Sequence, residues 1–102
     1  MVELETLSLL TRDLQSCVNA QDWSALQRAD ATMAETLRRV TPAQKRMSGW
    51  SEALAQLREA HGQALQACRH ARDLAGAQLQ SLASQREVME AYSLTQDMEM
   101  RA

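Results

Sequence analysis

The chain has 102 residues, 45% hydrophobic and 24% charged, a length that fits one domain and makes a two-domain enzyme improbable. Its formal charge of −2, from 11 Lys and Arg against 13 Asp and Glu, gives no excess positive field to neutralise a nucleic-acid backbone, so DNA and RNA are disfavoured as partners. With 3 Gly, 1 Pro and no Phe, and an apolar share made mostly of Leu and Ala, the composition disfavours strands and predicts an all-α protein.

Leu4, Leu7, Leu10 or Leu9, Leu14, then Cys17 and Val18 recur at helical spacing and form one stripe of a first helix. Asn19-Ala20-Gln21-Asp22 follows as a short reversal, with Asn19 suited to a left-handed turn and Asp22 to capping the next helix. So short a connection folds the second helix back on the first and sets Trp23 at their corner. The second helix carries Trp23, Leu26, Met33, Leu37 and Val40, with Asp30 in the seam and Ala29 taking over there against the core.

Thr41-Pro42-Ala43-Gln44 has the capping-box spacing with proline at the first helical position, which starts a third helix at about Pro42. From Met47 through Trp50, Leu57, His61 and Cys68 to Leu82 the apolar positions keep helical steps, weakened by Gly49, Gly62 and Gly76 and open to a break near Gly49. Ser84-Gln85-Arg86-Glu87 repeats the capping spacing before Val88, Met89 and Tyr92, and so marks the start of a short fourth helix, the alternative being that the third helix continues through it. Residues 93–102 lack an anchor and read as a flexible tail. The expected architecture is all-α, an antiparallel bundle of three main helices with a short fourth C-terminal helix, forming one domain over residues 1–92.

At helical rise the first two helices reach about 27 Å each, whereas an unbroken third helix from Pro42 to Ala83 would reach about 63 Å. Its excess apolar stripe then needs a cover: the fourth helix, a second copy or a foreign partner. A break at Gly62 would instead give a self-satisfied four-helix bundle.

Few groups converge for chemistry. His61 and His70 face opposite sides of a helix, and neither has a carboxylate three positions before it as helical metal sites do. Cys68 is too far along the axis from His61 for a thiol-imidazole hydrogen bond, roughly 10 Å. There is no glycine-rich phosphate loop, nucleophile elbow or C-x-x-C. No catalytic residue, cofactor or metal is expected. The Glu and Asp side chains read mainly as solvated faces, and Arg38, Arg39, Lys45 and Arg46 as charges favoured at a helix C-terminus or as a docking patch. Met33, Met47 and Met89 are gap-fillers or the lining of an adaptable groove, and Trp23 and Trp50 anchor the hairpin and the third helix. With no signal-peptide pattern and no apolar run long enough for a bilayer, a cytoplasmic chain with free thiols at Cys17 and Cys68 is expected.

From about Leu7 to Ser93 the chain resembles the FliT-type flagellar export chaperones. The likeness is carried by the leucine-rich first helix, the acidic-Trp turn Ala20-Gln21-Asp22-Trp23-Ser24-Ala25-Leu26, the Thr41-Pro42 pair, the long Leu/Gln/Ala helix and Ala91-Tyr92. It implies a non-enzymatic chaperone that binds the C-terminal helical region of the filament-cap protein FliD, prevents its premature assembly and delivers it to the type III export apparatus. On that likeness Leu65, Cys68, Leu79 and Leu82 are candidates for the client groove, Val88 and Met89 for a helix covering it, and Tyr92 for contact with the export gate FlhA. It also implies possible restraint of the regulator FlhDC and a homo-oligomer when no client is bound. The competing readings are a self-associating coiled-coil-like adapter and an FlgN-type chaperone for hook-filament junction proteins.

Overall fold

The computed structural model describes residues 2–101. They form four helices, α1 Leu4–Asn19, α2 Trp23–Arg38, α3 Pro42–Lys45 and α4 Trp50–Arg101, with no strand among the described residues. The chain divides into two units, Met1–Cys68 and Arg69–Ala102, so the domain boundary expected at residue 92 falls inside α4, and residues 93–101 continue that helix.

In the first unit, α1, α2 and the first part of α4 contribute to one apolar core, with Leu7, Leu14 and Leu57 almost fully buried. Leu10 is the core residue and Leu9 the exposed one, which settles the ambiguity in the first stripe. Met33 and Trp50 are buried, and Ala29 packs against the core as expected. Thr11, whose polarity hid it from an apolar count, is also buried; its Oγ1 donates to the Leu7 carbonyl at 2.9 Å.

The reversal between α1 and α2 is built from backbone bonds. Asp22 N donates to the Cys17 carbonyl and Gln21 N to the Val18 carbonyl, both at 3.0 Å, the paired pattern that closes a helix through a left-handed residue. That residue is Gln21, at φ 53°, and not Asn19, which remains the last residue of α1. Asp22 then caps α2, accepting from Ala25 N at 3.0 Å.

The capping box at Thr41 forms fully. Thr41 Oγ1 accepts from Gln44 N, and Gln44 Oε1 accepts from Thr41 N. Gln44 is itself buried, and its Nε2 donates to the Val2 carbonyl at 2.9 Å, fastening the start of the chain to α3. Yet α3 lasts 4 residues, and the long third helix expected from Pro42 is divided before Trp50. Gly49 adopts φ +82°, and its carbonyl accepts the first bond of α4 from Ala53 N at 3.0 Å. Met47 lies in this break and is exposed instead of lying on a core stripe.

The second unit is the remainder of α4. No separate fourth helix begins at Ser84: α4 runs unbroken from Trp50 to Arg101. No Gly or Pro precedes Ser84 closely enough to end a helix, so its backbone amides keep their partners one turn back and need no cap. Beyond Ser84, Arg86 Nε donates to Glu90 Oε1 at 3.2 Å, an i,i+4 pair within the continuing helix.

Candidate interaction surface

Two surface grooves of the first unit flank a polar bridge between α2 and α4. His61 Nε2 lies 2.9 Å from Asp30 Oδ1, joining the acidic seam residue of α2 to the histidine on the α4 stripe. On one side lies a groove of about 320 Å³ bordered by Met33, Val40, Trp50 and Leu54. On the other lies one of about 210 Å³ bordered by Trp23, Leu26, Leu65 and Cys68. The bridge was missed in the sequence because its partners sit on different helices, whose relative rotation no periodicity reveals.

The candidate groove residues fall into two groups. Leu65 and Cys68 line the same groove in the first unit, Cys68 half-buried and Leu65 more exposed. Leu79 and Leu82 belong to the second unit, one helical turn apart on α4, and are 68% and 61% exposed. Val88 and Met89, expected on a separate covering helix, are exposed side chains of α4 itself, beside Ser81, Ser84 and Gln85. Tyr92 is exposed too, its hydroxyl accepting from Gln96 Nε2 at 3.1 Å. Throughout 70–100 only Ala71 is more than marginally sheltered, so this stretch of α4 holds its apolar side chains in solvent.

Such exposure sets what the surface can do. Burying one large apolar side chain is worth about 1.5–3 kcal/mol, so a matching apolar face would gain substantially by covering Leu79, Leu82 and Met89. Soluble chains seldom leave contiguous apolar faces uncovered unless something docks there. Of the basic residues at the α2–α3 corner, Arg38 and Arg39 both reach Glu35, at 3.2 and 3.4 Å.

Among the described residues no cluster of His, Cys, Asp and Glu has the grouping of a metal site, and no helix is long and apolar enough to cross a membrane. In comparisons with known proteins, no family model, curated protein or solved structure matches the chain.

Proposed function

We propose that the chain is a non-enzymatic, cytoplasmic export chaperone of the FliT type, which binds the C-terminal helical region of the filament-cap protein FliD and delivers it to the type III export apparatus. The observation that carries this reading is the apolar face of α4 beyond Cys68, with Leu79, Leu82 and Met89 in solvent on an otherwise regular helix. An amphipathic client helix laid along that face would bury both apolar surfaces at once, the helix-in-groove mode of recognition. Leu65 and Cys68 line a groove of the first unit beside Trp23, which offers the client an apolar surface of its own. The client's own assembly surface is masked while it is held. Tyr92, exposed farther along α4, contacts the export gate FlhA; Met89 joins the docking face instead of covering it, and Val88, on the opposite side of α4 from Leu79, lies outside that face.

Calorimetry of the full chain with the C-terminal segment of the same organism's filament-cap protein tests this reading. Saturable binding with a negative heat-capacity change, the mark of apolar burial, supports it. Absence of heat and of any shift in a parallel sedimentation experiment overturns it.

A further inference from the structure

The two grooves of the first unit differ in charge. The one of about 210 Å³ has Asp30 on its border, whereas the one of about 320 Å³ is bordered by Lys45, Arg58 and His61 and by no carboxylate. In a chain of net charge −2 that is a local reversal of sign. His61 is engaged by Asp30 at 2.9 Å. Lys45, the last residue of α3, and Arg58, on α4, make no ion pair among the described residues, unlike Arg38 and Arg39, which both reach Glu35. The walls between these cations are apolar. Met33 and Trp50 are buried there, and Leu37 and Leu54 half-buried.

Two unpaired cations beside an apolar floor call for an anion that carries an apolar body. The volume lies at the small end of the range for small-molecule sites, which are mostly apolar with a few polar groups that fix orientation. Arg offers paired donors that match the two oxygens of a carboxylate, and Lys adds a point charge. Length agrees as well. Trp50 and Arg58 stand about 12 Å apart along α4, and at about 1.2 Å per bond an extended eight-carbon chain reaches roughly 9 Å. Trp50 also carries the one buried side-chain nitrogen or oxygen without a hydrogen-bond partner among the described residues, its Nε1. A buried indole N–H ordinarily donates to something, and an anion brings the acceptor that this one lacks.

We propose that this groove binds a small amphipathic carboxylate of medium alkyl length, its chain against Met33, Leu37 and Leu54 and its carboxylate held by Lys45 and Arg58. The groove lies within the first unit, so the site is independent of the docking face beyond Cys68 and of what docks there.

The test titrates the full chain with octanoate, read by calorimetry and by the indole N–H signals of the two tryptophans in nitrogen-15 spectra, which Trp23→Phe assigns. Octanoate saturates the chain at millimolar concentration or below and shifts the Trp50 signal, while Trp23, on the other groove, stays in place. Acetate, which lacks the apolar body, and octylammonium, which reverses the charge, do not saturate over the same range. Lys45→Gln with Arg58→Gln, both at exposed positions, weakens octanoate about tenfold or more, with circular dichroism unchanged. Leu79→Glu with Leu82→Glu binds octanoate as the wild type does. No saturation by about 10 mM overturns the site, as does octylammonium or acetate binding as tightly as octanoate. So does an equal shift of both indoles, full affinity in the Lys45 and Arg58 variant, or loss of octanoate in the Leu79 and Leu82 variant, which would move binding to the second unit.

Discussion

Gln21 occupies a left-handed conformation at φ 53°, which costs a residue with a Cβ roughly 1–2 kcal/mol relative to ordinary helix or turn geometry. Glycine relieves that strain but gains freedom in the unfolded chain, so Gln21→Gly is expected to stabilise the protein by about 0.5–1 kcal/mol in urea unfolding. Gly49 is the converse. Its φ of +82° suits glycine, and an added Cβ would meet Leu4 Cδ1 at 3.5 Å, so Gly49→Ala is expected to cost about 1–2 kcal/mol through backbone strain. Gly62 and Gly76 are helical, and a Cβ at either meets nothing within 4 Å. Gly62→Ala should therefore raise stability by about 0.8–1 kcal/mol, and Gly76→Ala should raise helicity without loss of fold. The three glycines look alike in the sequence, and only Gly49 came with a nearby competing signal, the Thr41-Pro42 start just before it. Asn19 drew the left-handed assignment by residue type, but the position was set by which amides could reach the Cys17 and Val18 carbonyls, a matter of chain geometry.

At the scale of elements, the two capping-box spacings had opposite fates. Thr41 to Gln44 follows the end of α2 and leads with proline, so the free amides of a new helix exist there to be capped. Ser84 to Glu87 lies in an uninterrupted run of helix formers, where the same residue types have no free amide to serve. Asp22 and Thr41 are the working caps, and Asp22→Ala is expected to cost about 1 kcal/mol, measured by thermal unfolding. α4 also separates buried from exposed leucines along its length. Leu57, 1% exposed, sits in the core, and Leu57→Ala is expected to cost about 2–5 kcal/mol in urea unfolding. Leu79 and Leu82 are mostly in solvent, so Leu79→Glu with Leu82→Glu should change urea stability by no more than about 0.5 kcal/mol per site. The helical periodicity that made both groups legible could not say which leucines had a partner, because it records spacing and carries no information about what lies opposite.

For the molecule as a whole, composition, the stripes and the short reversal at Asn19 to Asp22 were enough to read an all-helical chain with α1 and α2 adjoining a shared core. The division at Cys68 was not legible, since nothing in the residues changes there. What changes is the supply of partners: Leu7, Leu14 and Leu26 answer α4 as far as Ala64, and the stripe beyond has no counterpart of its own in the second unit. The arithmetic of helix lengths had pointed to an uncovered stripe, and the exposed leucines of α4 locate it. With no separate helix at Ser84, the covers that the length mismatch called for reduce to a second copy or a foreign partner.

The most direct measurement is calorimetry of the filament-cap C-terminal segment against the full chain and against its Leu79→Glu, Leu82→Glu variant, with urea unfolding of both as the control. The account predicts equal stability and a loss of affinity of about 100-fold or more, from two apolar side chains at about 1.5–3 kcal/mol each. Unchanged binding by an equally stable variant would contradict it, and would remove α4 beyond Cys68 from the docking surface.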